Sequence, residues 1–339
     1  MKKICVCLLL AALLLPACAP TVEPDCALLE VFCVGLVTDG GKITDQAFNQ
    51  AAWEGLQLAK NKLDAKVDYI ETADWKDYYK NITAFADVNY DVIVTVGFSL
   101  TEATTRAAKE YPDLYFVGVD QTQPEETLLN LTGLIFPEDQ AGFLAGVLAA
   151  QLTKSGKIGG VFASDGFTYI WRLGEGYRAG AQYIKPELEV SLSYHNDASP
   201  STTFSDPEWG ATTALALIEQ GVDIIFSAGE KTAQGALIGA AQAGALGIGA
   251  DFDQYYALPE AQKGLVTSVV KLVTPGVFNL IKAAKEGTFP GGNFTGQVNY
   301  APFHALKDLV SDEVKAKLNE VRAALLNGSL KTNVPATKP

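Results

Sequence analysis

Residues 31–61 read VFCVGLVTDGGKITDQAFNQAAWEGLQLAKN, and this stretch decides the fold class. Residues 31–38 are almost continuously apolar, the pattern of a strand covered on both faces. A glycine-rich turn at Gly40-Gly41 follows. Thr44 can cap a helix that runs to about residue 61, because Phe48, Ala51, Ala52, Gly55, Leu56 and Ala59 recur at helical spacing. A buried strand leading through a tight turn into an amphipathic helix is the repeating unit of a parallel α/β sheet.

The unit recurs outward along the chain. Strands are predicted over 67–71, 91–98 and 114–120, with helices over 76–87 and 101–110. Residues 132–136 are extended and 138–152 helical. A second series has strands over 157–163, 188–194, 223–228, 247–252 and 265–272. Its helices span 169–184, 208–220, 232–243 and 275–286. A short strand at 297–300 and a helix at 311–326 end the pattern. The units fall into two sets with a break near 133–139, which predicts two doubly wound parallel-sheet lobes joined by a hinge. A (β/α)8 barrel also alternates, but it predicts eight similar units with no midpoint break. The expected partition is 31–134 plus about 264–292 for the first lobe, and 135–263 plus about 293–328 for the second. Residues 329–339 form a tail. Crossings between lobes are expected at 133–139, 254–264 and 287–296, where Gly and Pro concentrate.

The amino terminus has the form of an export signal. Lys2 and Lys3 precede an apolar run over 4–15, too short for a permanent membrane span. Leu15-Pro16-Ala17-Cys18 resembles a lipobox, although Pro16 departs from the usual small or β-branched residue. Residues 1–17 are read as a signal peptide, Cys18 as the lipidated residue and 18–30 as a tether. A plain secretory signal with an incidental cysteine is the alternative. Cleavage removes two lysines and takes the formal charge from −13 to −15. Cys26 and Cys33 then remain, either as a disulfide in an oxidising compartment or with Cys33 as a buried thiol. No later segment is apolar enough to span a membrane, so the mature body is expected to be soluble; a monomer is also expected.

Composition narrows the function. The acidic balance opposes binding along a phosphate backbone, so no nucleic-acid partner is expected. Two histidines leave little room for histidine-based metal or triad chemistry; His195 is read as a satisfied surface histidine at a strand end and His304 as structural. Neither a G-x-G-x-x-G fingerprint nor a P-loop follows the first strand, and no cofactor is expected.

Doubly wound sheets bind ligands at the carboxyl ends of their strands. Those ends carry Thr38-Asp39-Gly40-Gly41, Gly97-Phe98-Ser99, Asp120-Gln121, Ser164-Asp165, Ala228-Gly229-Glu230, Asp251-Phe252-Asp253-Gln254 and Lys271, with Phe48 and Asn49 at the first helix start. Carboxylates accept hydrogen bonds and suit a ligand rich in hydroxyl or N–H donors. Aromatic faces suit a flat ring. Together they suggest a nucleoside, with ribose on Asp and base on Phe. The plainer alternatives are helix capping by Asp39 and Asp45, packing by Phe48, and a structural ion pair of Lys271 with Asp120 or Asp251.

Residues 34–41 and 45–56, with Phe116-Val117-Gly118-Val119-Asp120-Gln121 and residues 141–146, strongly resemble the basic membrane protein family, also called PnrA-like. The resemblance continues through Gly176-Tyr177-Arg178-Ala179-Gly180, residues 248–254, Thr267-Ser268-Val269-Val270-Lys271 and Ala301-Pro302-Phe303-His304. It implies a type I periplasmic-binding-protein fold and a solute receptor for an ABC importer, with a permease and an ATPase as partners and a lipid anchor to the membrane. It further implies a purine nucleoside ligand. Asp39 and Asn49 would face it, Phe48 would stack on the base and Asp120 would take ribose hydroxyls. Gly229 would offer backbone groups, and Asp251 and Lys271 would complete the polar shell.

Two departures stand out. Leu173 occupies the place of an aromatic that relatives put before the Gly-Tyr-Arg-Ala-Gly stretch; Trp171 is expected to replace it, with Tyr169 close by and helix packing the alternative for Trp171. Glu230-Lys231-Thr232 replaces a small, Gly-rich turn. The enzyme alternative, a nucleoside hydrolase, would rest on Asp251-x-Asp253 as an acid/base or metal-binding pair. A receptor for a sugar or a nucleobase is the other alternative.

Overall fold

The computed structural model describes residues 26, 28, 30–123, 127–199 and 202–339. The signal peptide, Cys18 and most of the tether lie outside the described residues.

The chain begins with β1 (Cys33–Val37), α1 (Phe48–Leu63), β2 (Lys66–Ile70), α2 (Tyr78–Ala86), β3 (Val92–Val96), α3 (Thr101–Glu110), β4 (Tyr115–Val119) and β5 (Leu131–Ile135). The second series is α4 (Glu138–Leu152), β6 (Lys157–Phe162), α5 (Thr168–Ile184), β7 (Glu189–Tyr194), α6 (Pro207–Glu219), β8 (Ile224–Ala228), α7 (Glu230–Gln242) and β9 (Leu246–Asp251). The chain ends with β10 (Leu265–Lys271), α8 (Val273–Lys285), β11 (Gly292–Thr295), β12 (Val298–Tyr300) and α9 (Asp312–Leu326).

These strands build two six-stranded sheets, ordered β11-β5-β4-β3-β1-β2 and β12-β10-β9-β8-β6-β7. The first is wholly parallel, and the second is parallel except for β12, which runs antiparallel to β10. β1, β3 and β8 are buried along their whole length, which is why their sequences show no alternation. The two-lobed α/β architecture is therefore the expected one.

The expected partition of the carboxyl-terminal third needs correction. β10 pairs with β9 through Val269 and Ala250, so residues 265–271 belong to the second lobe, not the first. α8 does return to the first lobe, where Thr274 donates to the carbonyl of Ala51 at 2.8 Å. β11 pairs with β5 and extends the first sheet past residue 292. The lobes are thus joined at 136–137, 272 and 296–297. Residues 254–264 connect two strands of one sheet and are not a crossing. An apolar strand is complementary to either sheet, so its sequence alone does not say which one it joins.

The start of α1 also differs. Thr44 does not cap it; the carboxylate of Asp45 instead accepts from the N–H groups of Ala47 (2.7 Å) and Gln50 (3.1 Å). Gln46, at φ +57°, makes the bend that delays the helix to Phe48. Cys26 and Cys33 form a disulfide that ties the segment before β1 to that buried strand.

α4 and α5 pack along their backbones. A Cβ on Gly142 or Gly146 would lie 2.0 Å from a carbonyl oxygen of α5, and one on Gly176 would lie 2.2 Å from the carbonyl of Asp139. Only glycine permits this approach.

Candidate functional site

The carboxyl ends of both sheets face a cavity of about 560 Å³ whose wall includes Phe48, Phe98, Asp120, Glu138, Tyr169, Arg172, Phe204, Gly229, Glu230, Asp251 and Lys271. Both lobes contribute, and the size is ordinary for a small-molecule site.

Strand ends aim these groups by unusual backbone turns. Asp120 closes β4 at φ +56° and Asp251 ends β9 at φ +75°. A left-handed residue other than glycine costs about 1–2 kcal/mol. Aspartate tolerates it better than most, and here the turn points each carboxylate inward from its strand. Gly229 follows β8 at φ +123°, where a Cβ would meet that of Ala163 at 2.5 Å. Glycine is required there, and it brings backbone to the cavity wall.

Lys271 is the electrostatic centre. Its side chain is 6% exposed, and its Nζ lies 2.7 Å from Asp120 Oδ2, 3.5 Å from Asp251 Oδ1 and 4.0 Å from Glu138 Oε1. Asp120 belongs to the first lobe, so the shortest of these pairs joins the two lobes. The same ammonium stands 5.4 Å from the Phe48 ring centre and 5.7 Å from that of Phe136. Burial alone would lower the lysine pKa, but Asp120, Asp251 and Glu138 outweigh it and hold the ammonium charged well above its usual range. Burial pushes Glu138 and Asp251 up, with Lys271 opposing in each case. The Tyr169 phenol is also raised, first by burial, so it remains a neutral donor.

Arg172 reaches the same wall. Its Nη2 pairs with Asp139, its Nη1 lies 3.7 Å from Glu138 Oε2, and its buried Nε has no partner among the described residues.

The aromatic rings come from both sides. Phe98, 52% exposed, faces Tyr169 across the gap with ring centres 6.4 Å apart. Trp171 does not take that place: it is 8% exposed and absent from the cavity wall. Two residues along a helix turn about 200°, so Tyr169 and Trp171 point to opposite faces.

The cavity wall therefore gathers Phe48, Phe98, Asp120, Gly229, Asp251 and Lys271 among the expected residues. Asp39 and Asn49 lie outside it. Asn49 is buried, and its Nδ2 donates to Asp39 Oδ1 at 3.0 Å and to Asp45 Oδ2 at 2.8 Å. Asp39 also accepts from the N–H groups of Gly40 and Gly41, so the pair shapes the first turn; burial and then the Asp39 charge raise the pKa of Glu230 on the opposite wall, which places Asp39 beside the gap.

Asp251 and Asp253 part company. Asp253 Oδ2 pairs with His304 Nε2 at 2.7 Å and is not part of the cavity wall, so the tight acidic pair required by the hydrolase alternative is split. Glu138, Phe136 and Arg172 were not among the expected site residues. Phe136 and Glu138 directly follow β5, so the strand-end rule would have found them had it been applied to that strand. Phe204 and Ala336 carried no comparable signal.

Residues 32–320 match the family model described as ABC transporter substrate-binding protein PnrA-like. The chain is 30% identical to the ABC transporter nucleoside-binding protein BmpA of Lactococcus lactis, with 87% of each chain covered. It is also 30% identical to a CD4+ T-cell-stimulating antigen of Listeria monocytogenes, covering 88% of this chain and 87% of that one. An ABC transporter solute-binding protein from Conexibacter woesei has a similar structure, with a TM-score of 0.74 at 22% identity over 91% of this chain and all of that one.

Proposed function

The chain belongs to the PnrA-like family of ABC transporter substrate-binding proteins, and from that membership we propose that it captures a purine nucleoside between its lobes and presents it to a membrane permease. The observation that carries this reading is the cavity itself, with aromatic rings from both lobes around carboxylates gathered on Lys271. The nucleoside-binding relative from Lactococcus lactis supports the ligand class.

Each part of the ligand meets matching chemistry. The base lies against Phe48, Phe98 or Tyr169, where stacking is worth about 1–3 kcal/mol per base. Ribose hydroxyls donate to Asp120 and Asp251, which only accept when ionised. Lys271 and the unpartnered Nε of Arg172 offer donors to ring nitrogens or a carbonyl. The ligand bridges the lobes and shifts them toward the closed state that the permease and its ATPase read. No bond is made or broken.

Export accords with the Cys26–Cys33 disulfide, which belongs to an oxidising compartment. We place the mature protein on the outer face of the membrane, as a monomer held there by lipid on Cys18.

A thermal-shift panel of nucleosides, bases and sugars, followed by calorimetry, tests the assignment. Guanosine, inosine or adenosine should raise the melting temperature, and Asp120→Ala should abolish the shift. A response confined to sugars would remove the nucleoside while leaving the receptor.

A further inference from the structure

Past α9 the chain does not leave the molecule. The Leu330 N–H donates to the Ala324 carbonyl at 3.0 Å, and the Leu330 side chain packs on the core. Thr332 then donates to Asp139 Oδ2 at 2.5 Å. Ala336 joins the wall of the ligand cavity. Lys338 Nζ reaches Asp165 Oδ1 at 2.8 Å, at the turn that follows β6. Every one of these partners lies in the second lobe, so the segment moves with it.

We infer that residues 331–338 form a strap that completes the nucleoside cavity, narrows its mouth and slows release of the ligand. The inference rests on the nucleoside reading for its ligand, although the docking of the strap does not.

Three features make this more than a tail lying on the surface. The strap is pinned at both ends by different chemistry, a buried aspartate at Thr332 and an ion pair at Lys338. The residue between the pins is the one that meets the cavity. Pro335 fixes the backbone immediately before Ala336, which lowers the entropy lost in holding it there.

The inner pin also connects to the ligand groups without a break. Asp139 takes Thr332 on one oxygen and Arg172 on the other. Arg172 faces Glu138, and Glu138 faces Lys271. A ligand that draws Glu138 or Lys271 toward itself acts on the group that holds the strap.

The test compares the wild-type chain, a chain ending at Leu330, Lys338→Glu, and Lys338→Glu combined with Asp165→Lys. Inosine release is followed by stopped-flow fluorescence, and amide hydrogen exchange is followed without ligand. The short chain keeps α9 and should still fold. It should release inosine about tenfold faster, because affinity differences within one site fall mainly on dissociation. Lys338→Glu should release it about threefold faster, as expected for loss of a partly exposed pair, and the reversed pair should restore the wild-type rate.

Without ligand, residues 163–170 should exchange faster in the short chain and in Lys338→Glu, and at the wild-type rate in the reversed pair. Release and exchange unchanged by truncation would overturn the strap. If the wild-type chain binds no nucleoside, the ligand reading fails, and the exchange result alone then upholds or overturns the docked strap.

Discussion

One ammonium, that of Lys271, balances three carboxylates in the cavity, and Glu138 is the most distant of them. Burial raises the Glu138 pKa further than Lys271 lowers it, so the fold holds its protonated form better. The stability this contributes is complete below about 4.5, the ordinary glutamate value, and is lost as pH rises through the raised one. Glu138→Gln mimics the protonated form. It should therefore raise the melting temperature of the ligand-free protein by about 2 °C at pH 7, with the gain vanishing toward pH 4. A melting series across that range decides it; a loss at pH 7 would mean that Lys271 and Arg172 together outweigh burial.

Legibility at this scale followed chain geometry. Asp120, Asp251 and Lys271 were readable because strand ends in doubly wound sheets meet the ligand. Tyr169 and Trp171 were not separable, because the helix phase depends on where α5 begins. The resemblance put Asn49 against the ligand; its Nδ2 serves the carboxylates of the turn, while its buried Oδ1 has no partner among the described residues.

The elements that aim these residues depend on close packing of α4 against α5. Gly176→Ala gains about 1 kcal/mol of helix propensity. Its methyl, however, would land 2.2 Å from the Asp139 carbonyl oxygen, which is backbone and cannot turn aside. Overpacking of this kind costs about 1–3 kcal/mol or more, and the overlap is severe enough that the cost wins. The urea midpoint should fall. Inosine affinity measured by calorimetry should also fall at temperatures where the variant is fully folded, because separating the helices displaces Glu138, Arg172 and Tyr169 together. Affinity preserved in the folded variant would show that the cavity does not depend on this interface.

Most elements were legible from apolar periodicity, since the strands are buried and the helices amphipathic. β11 was not. Its four residues, Gly-Asn-Phe-Thr, are mostly exposed at a sheet edge and carry no pattern. β10 was legible as a strand but not as a member of the second sheet, because that depends on its pairing with β9.

At the scale of the whole molecule, three crossings and a small set of contacts govern the relation between lobes. The Asp120–Lys271 pair and the Phe98–Tyr169 rings meet across the gap. A ring pair of this kind contributes about 0.5–1.5 kcal/mol beyond its buried area. A buried ion pair loses much of its attraction to desolvation. These two contacts are therefore weak restraints against opening around a cavity of about 560 Å³. A nucleoside adds what they lack, because it stacks on rings and bonds to carboxylates from both sides at once. Small-angle X-ray scattering should accordingly show a smaller radius of gyration for the wild-type protein when inosine is added. Asp120→Ala removes both the pair between lobes and the ribose acceptor. It should give a larger radius without ligand and no contraction with it. Lys338→Glu should contract like the wild type, because both ends of the strap belong to the second lobe and leave the crossings untouched. Inosine bound with no change in radius would separate capture from closure, and the transporter would then have to sense the ligand by some means other than the angle between the lobes.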